Sequence, residues 1–401
     1  LVATEQSGGI EDVADAIAAL SLAWADERPE RQTRRSLDGD DFDRLADTGF
    51  LRTVVPAEHG GLWRGITTSA RPVIGMLRTL AQGDPSVALV AAMHPAVVSF
   101  WLMSDTPGSG PSAAWTEQRV AVFDTALDGH QWGTITSEPG SGGDIARTRS
   151  KAVADPGAPT EPVGDPFRIS GDKHFGSGSG ITSFMITTAL AEGDDEPAIF
   201  VLDTRERPWE TDGPMTLIAE WDGMGMAATQ SHAMRLEAMP AVRCAWPDPF
   251  PDLAVAAGPF NAGLFTGVVL GVLDSAIEAA RHRLAQRLDG GAGALRPFEQ
   301  TEWVRAEMDH WLAVQAYEGA LRALESGSAT RSQHGCLRAK QSVARLAEST
   351  MTRLTRVLGG GTFSQRSPFA HWYEDVRALG FLRPPWALAD DNLFATSFQP
   401  E

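Results

Sequence analysis

Apolar residues return every third or fourth position from residue 10 to 26, at Ile10, Val13, Ile17, Leu20 and Trp24, and Phe42, Leu45, Phe50 and Leu51 continue the spacing. That period predicts amphipathic helices at the start of the chain. Pro56-Ala57-Glu58-His59-Gly60-Gly61 reads as a turn, and Ile74 to Met103 reads again as helix, with Asp84-Pro85-Ser86 as a start signal of cap and first-turn proline. Between about 130 and 243 the pattern changes. Short apolar or β-branched runs, Phe184 to Thr188 and Ala198 to Asp203 among them, are separated by Gly, Pro and Asp clusters and predict strands. Residues 152 to 166 carry four prolines and read as an exposed hairpin loop. After Pro251 the helical period returns in Leu264, Phe265, Val268, Val269, Val272, Leu273, Ala276 and Ile277. Trp303, Trp311 and Leu312, then Val343, Leu346, Leu354 and Leu358, extend it to a bundle of three or four helices. The pattern alone gives helices, then a β domain, then a helical bundle: an α+β chain.

Composition narrows the function classes. A chain of 401 residues with 43% hydrophobic content can bury a large core and is long enough for two or three domains. A formal charge of -18 argues against nucleic acid or an anionic membrane as partner, since both need a positive footprint. No run reads as a membrane span and no signal peptide is evident at the N-terminus, so the cytoplasm is the expected compartment. Cys244 and Cys336 lie far apart without metal spacing, which suggests free buried thiols rather than a disulfide or zinc site. Lysines are confined to Lys151, Lys173 and Lys340.

The chemistry is concentrated in two stretches. Thr136-Ser137-Glu138-Pro139-Gly140-Ser141-Gly142-Gly143-Asp144 is a turn whose glycines allow close approach of backbone N–H groups to a planar ligand. Ile169-Ser170-Gly171-Asp172-Lys173-His174-Phe175-Gly176-Ser177-Gly178 reads as a strand bearing a hydroxyl beside an aromatic that could cover one face of a flavin ring. Each stretch alone is compatible with an ordinary turn. In this order and spacing they resemble the acyl-CoA dehydrogenase superfamily, with its T-E-P-G-x-G-S-D turn and G-x-K-x-[WF]-x-[ST] strand. Trp221 to His232 is similar to the superfamily's W-x-x-x-G-x-x-x-T-x-S segment, Gly271 to Arg287 to its first long bundle helix, and Gly359-Gly360-Gly361 with Tyr373-Glu374-Asp375 to its late G-G turn and R-D.

The resemblance implies an N-terminal helical domain (1–130), a β-barrel-like middle domain (131–243) and a C-terminal four-helix bundle (244–401). It also implies a homotetramer or dimer, with FAD, or alternatively FMN, lying between the middle and C-terminal domains. By match to the motifs, Ser137 and Ser177 would bind the flavin ring, Phe175 would cover it, Arg287 would meet the flavin pyrophosphate across a subunit boundary, Gln300 would stand for the superfamily's helical glutamine among the cofactor contacts, and Gly359 and Gly360 would admit the adenine side. A solvated helix-end charge for Arg287 and a helix C-cap for the glycines are the structural alternatives.

The chain departs from the superfamily where a dehydrogenase needs its base. The tail position of the usual Glu falls on Arg383, which cannot be a base, and the other known position falls on Asn261. Asp390 and Asp391 would require a shift of seven residues. Gly143 replaces the usual Ser, and Glu374 the usual Arg before Asp375. The expected activity is therefore that of the superfamily's two-component monooxygenases, which take reduced flavin from a reductase and hydroxylate a small organic substrate through a C4a-hydroperoxyflavin. His94 is the candidate catalytic residue, with His174 and His371 weaker ones. The alternatives are an acyl-CoA or acyl-carrier dehydrogenase with a relocated base, and the inactive subunit of a mixed tetramer.

Overall fold

The computed structural model describes residues 9–103, 112–157, 163–205, 213–246, 250–289 and 294–398. Helices α1 (Ile10–Asp26), α2 (Arg28–Arg31), α3 (Gly39–Asp47), α4 (Ile66–Gly83), α5 (Pro85–Leu102) and α6 (Ala113–Leu127) come first. Strands β1 (Trp132–Thr134), β2 (Lys151–Ala154), β3 (Pro166–Gly176), β4 (Phe184–Ala191), β5 (Ala198–Asp203), β6 (Met215–Ala219) and β7 (His232–Arg243) follow. The long helices α7 (Phe250–Asp289), α8 (Pro297–Glu325) and α9 (Ala329–Leu358), with the short α10 (Pro368–Arg377) and α11 (Trp386–Thr396), complete the chain.

The start signal before α5 works as its residues require. Asp84 accepts from Val87 N at 3.0 Å and Pro85 occupies the first turn, where its missing N–H costs nothing. Asp84 also accepts from Arg31 at 2.9 Å, and the same guanidinium reaches Asp41 at 2.6 Å while stacking over Trp24. One buried arginine thus ties α2, α3 and the start of α5 together.

The strands pair in a closed circuit. β4 pairs β2, β2 pairs β3, β3 pairs β7, β7 pairs β5, and β5 returns to β4, while β1 adds to β4 and β6 to β7. Alternation along β4 explains its two-sided burial. Met185, Ala189 and Ala191 face a small core with Ile135, Ile169, Phe200, Leu202, Met234 and Met239, whereas Phe184 and Ile186 join the larger core of the helices. Of the predicted hairpin loop, residues 152–154 belong instead to β2, paired antiparallel with β3, and 158–162 lie outside the described residues.

Among the described residues, two helices qualify by length and apolarity as membrane spans, α5 and residues 255–289 of α7, contrary to the expectation that no run would. Both are core helices: 89% and 72% of the respective windows are buried inside the protein. α4, α5 and α9 pack on α7, which explains why α7 is apolar nearly all round. Cys244 and Cys336 are buried and unpaired.

Candidate active site

The two sequence stretches meet. Ser137 forms an isolated antiparallel bridge with His174, whose N–H donates to Ser137 O at 2.8 Å, so the turn after β1 lies against the end of β3. Beneath this bridge is a buried ion pair, Lys173 Nζ to Glu138 Oε1 at 2.6 Å. Glu138 also accepts from Thr148 Oγ1, from Arg149 N at 2.7 Å and from Ser150 Oγ at 2.7 Å, and Lys173 also donates to Thr188 O at 2.6 Å. Burial opposes a charge on either partner, but Lys173 and the surrounding donors hold the Glu138 carboxyl well below the usual range. The Glu and Lys of the two motifs are thus structural: they fasten the turn to β2, β3 and β4.

Phe175 stands on that foundation with φ +58° and 59% exposure, edge-to-face with Trp221 at 6.1 Å. A positive φ is uncommon in a bulky residue, and a large aromatic left in the open offers a face to a ligand. Directly after it, Gly178 N donates to Thr229 O at 2.8 Å and Ser177 Oγ lies 2.8 Å from Ser231 Oγ, so the Trp221–His232 segment backs the end of β3. The proton directions in this hydroxyl chain can be worked out. Thr229 Oγ1 gives its proton to Met226 O at 2.8 Å, so its 2.8 Å contact with Ser231 must be accepted. Ser231 therefore donates to Thr229 and accepts from Ser177. Ser177 is left as an acceptor toward a ligand group that approaches its oxygen.

The tail of the chain closes the other side. Arg383 Nη1 donates to Gly143 O at 2.8 Å, and Nη2 donates to Thr136 Oγ1 at 2.9 Å and Ser137 Oγ at 2.8 Å. Burial lowers its pKa to about 10, against the pull of Asp144, so it remains charged at neutral pH. The segment carrying Arg383 is itself anchored: buried Lys340 donates to Leu379 O at 2.8 Å and to Pro384 O at 2.9 Å. Gly143 is fitted to this contact. It has φ +82°, and a Cβ there would lie 2.7 Å from Pro385 Cγ.

The other expected site residues sit elsewhere. His94 is fully buried, Nε2 meets Leu51 O at 3.0 Å and Nδ1 accepts from Trp132 N at 3.2 Å. Burial lowers its pKa to about 4, and both ring nitrogens are in use within the subunit. Arg287, at the end of α7, is held bidentately by Glu299 at 2.9 and 3.2 Å, and exposed Gln300 donates to Leu295 O at 2.8 Å. Gly359 caps α9, and Gly359 and Gly360 have nothing within 4 Å of a built Cβ. Within one subunit, Ser137, Phe175 and Ser177 come together; no described hydrogen bond or ion pair joins them to Arg287, Gln300, Gly359 or Gly360. Sequence reasoning missed Thr136, Thr229, Ser231 and the contacts of Arg383. The hydroxyls of Thr229 and Ser231 stood inside a matched segment, which was the available signal.

No protein-family model matches the chain. It is 25% identical over 354 residues to the amino sugar nitrososynthase DnmZ of Streptomyces peucetius, covering 86% of this chain and 82% of that protein. It is 23% identical over 368 residues to the putative acyl-CoA dehydrogenase YdbM of Bacillus subtilis, covering 85% and 84%. The FMN-bound dibenzothiophene monooxygenase TdsC of Paenibacillus sp. A11-2 superposes with a TM-score of 0.77 at 18% identity, covering 96% of this chain and 97% of that one. The chain has the fold of these proteins, and its sequence similarity agrees with the resemblance to the acyl-CoA dehydrogenase superfamily.

Two departures from the superfamily's sequence pattern are a single structural change. Arginine at the position of the dehydrogenase Glu and glycine at the position of the turn Ser touch each other, through the Arg383 bond to Gly143 O. The second base position is no more promising: Asn261 Oδ1 accepts from Ser99 Oγ at 3.2 Å. Among the tail acids, Asp390 is engaged by Gln341 Nε2 at 2.7 Å and by Arg345 at 3.2 Å.

Proposed function

We propose that the protein is a flavin-dependent monooxygenase that receives reduced flavin from a separate reductase and oxidises a small organic substrate. The observation that carries this reading is Arg383. By the count along the resembling tail motif it falls at the dehydrogenase base position, and it binds the turn itself, which supports a protonated cation where α-proton abstraction would need a carboxylate. The residues fit a flavin: an open aromatic at Phe175, hydroxyls at Ser137 and Ser177, and a turn free of side chains at Gly140 and Gly142. When bound, the flavin supplies the oxygen chemistry. The chain's own groups bind and orient it, and Ser177 offers an acceptor suited to an N–H on the reduced ring.

FMN is proposed as the cofactor, by analogy with the FMN-bound neighbour and because Arg287 and Gln300 already have partners within the subunit. The similarity to a nitrososynthase and to a dibenzothiophene monooxygenase supports an amine or sulfur centre as the oxidised atom. The segments 1–130, 131–243 and 244–401 are proposed as the domains. A homo-oligomer is proposed through α8, whose Val304, Met308, Trp311 and Leu312 are between 44% and 60% exposed along one side.

The test is to load the protein with FMN, reduce it, mix it with oxygenated buffer and follow flavin absorbance. A return to the oxidised spectrum in two resolved phases is expected. A single slow phase, with bleaching of oxidised flavin by an acyl thioester under anaerobic conditions, would replace this reading with a dehydrogenase.

A further inference from the structure

Many arginines elsewhere in this acidic chain are matched to carboxylates: Arg31 to Asp41, Arg71 to Glu325, Arg78 to Asp274, Arg168 to Asp155, Arg287 to Glu299 and Arg353 to Asp309, while Arg28, Arg35 and Arg149 donate to backbone carbonyls. Arg383 differs from the matched set and, unlike those three, is held against the candidate flavin turn by side-chain hydroxyls. Its three described bonds all end on neutral oxygens, and no described carboxylate lies within ion-pair distance of it. A guanidinium carries five N–H donors, so this one keeps unused donors, and the carboxylate that acts on it, Asp144, does so from beyond ion-pair distance. Taking a cation partly out of water without a directly paired counter-ion is unfavourable. Nevertheless the fold holds it in place, through Lys340 on the Leu379 and Pro384 carbonyls and through the Gly143–Pro385 contact.

Resting on the flavin reading above, we infer that Arg383 is the substrate-recognition residue and that the substrate carries an oxyanion, such as a carboxylate, sulfonate or phosphate. The geometry fixes where that group sits. Arg383 grips Ser137, the hydroxyl assigned to the flavin ring, so an oxyanion on its remaining N–H groups is held beside the ring, with the rest of the substrate near Phe175 and Ser177. The two N–H groups left over, Nε–H and one on Nη1, are charge-assisted donors for such a group.

Benzoate and its neutral isostere benzamide are the probes, titrated into the FMN-loaded protein and read by the flavin absorbance difference spectrum. Benzoate is expected to perturb the spectrum saturably and benzamide not at all. Arg383→Met is expected to weaken benzoate about 10- to 100-fold, the loss of a charge-assisted contact, with Arg383→Lys retaining part of the affinity. Equal binding of benzamide, or unchanged benzoate affinity in Arg383→Met, would overturn the inference and leave Arg383 as a latch. If Arg383→Met does not fold, Arg383→Gln, which keeps N–H donors for Thr136 and Ser137 without the charge, takes its place with the same expectation. A parallel arm measures the rise in Tm with benzoate in protein free of FMN. An Arg383-dependent rise in a protein that fails to take up FMN would sink the flavin reading alone. Normal FMN uptake with benzoate binding indifferent to Arg383 would sink this one alone.

Discussion

Two cations flank the same turn, one buried and one half-buried, and do opposite things. Lys173, beneath it, has Glu138 at 2.6 Å and neither side chain is more than 4% exposed. Arg383, above it, hydrogen-bonds only hydroxyls and a carbonyl, with Asp144 acting on it from farther away. A cation with its anion built in has nothing left to offer a ligand; it holds the structure. A cation without one is a binding site. The difference explains why a turn that matches a superfamily motif at Glu138 and Lys173 departs from it at Gly143 and Arg383. The foundation is kept while the face toward the substrate changes.

The comparison breaks most visibly from below. Glu138→Gln leaves Lys173 without its counter-ion in the core, and is expected to destabilise the protein by about 3–5 kcal/mol. Replacing both partners, Glu138→Leu with Lys173→Met, should recover much of that loss, because the penalty lies in the orphaned charge rather than in the absent pair. Guanidinium unfolding of the three proteins measures this. Arg383→Met should cost no more than about 1 kcal/mol in the same experiment, since its acceptors are neutral groups that water can satisfy. A loss at Arg383 as large as that at Glu138 would erase the distinction between foundation and face.

The mounting of Arg383 is the next target. Lys340→Met removes the donor to two carbonyls of the tail, and a cost of about 1–3 kcal/mol is expected for the acceptors left behind. It should also make the segment around Leu379–Pro385 the first site of limited proteolysis, while the 136–144 turn stays protected. Cleavage at both places together would mean that tail and turn open as one unit.

A smaller effect is expected in the hydroxyl chain. Ser231→Ala frees Ser177 to turn its proton outward, so the preference for reduced over oxidised FMN should fall about fivefold, the value of a hydrogen bond of about 1 kcal/mol. Spectroelectrochemical potentials of the bound flavin read this directly. An unchanged potential would show that Ser177 does not address the ring.

Much of this architecture was legible in residue patterns because burial sets period. The 3.6 spacing around Val13, Ile17 and Leu20, and the Asp84-Pro85 start, stood out because they repeat or because a single cap suffices. The site was legible as far as its motifs are local in sequence. Ser137, Phe175 and Ser177 converge because short segments set them, whereas Arg383 lies 246 positions from Ser137 and reaches it only through tail packing. His94 shows the complementary case. A histidine on an apolar helix looks the same in sequence whether it faces a ligand or, as here, the backbone of Leu51 and Trp132. α5 and α7 show the limit of hydropathy, since a helix wrapped by other helices is as apolar as one wrapped by lipid.

A third charge sharpens the contrast by its pH dependence. Asp375, on α10, accepts from Met226 N at 2.6 Å and is pushed up to about 7 by burial, with Asp84 and Glu374 adding to the rise and Arg28 opposing it. The folded protein therefore binds a proton that the unfolded chain releases near the ordinary carboxyl value of 3.8. Between those values the folded state holds more protons, so this residue's contribution to stability is full below about 4 and is lost as pH rises through about 7. Glu138 has the opposite sign: its carboxyl is held low, so its contribution is present at neutral pH and lost only in stronger acid. Asp375→Asn keeps an acceptor for Met226 N and removes the titration. The variant should unfold at a higher denaturant concentration than the wild type at pH 7.5, and the gap should close toward pH 4.5. A gap constant across that range would mean that Asp375 stays ionised in the fold, with Arg28 as its working counter-ion; it would then belong with Lys173 and Glu138 as a matched charge rather than with Arg383 as an unmatched one.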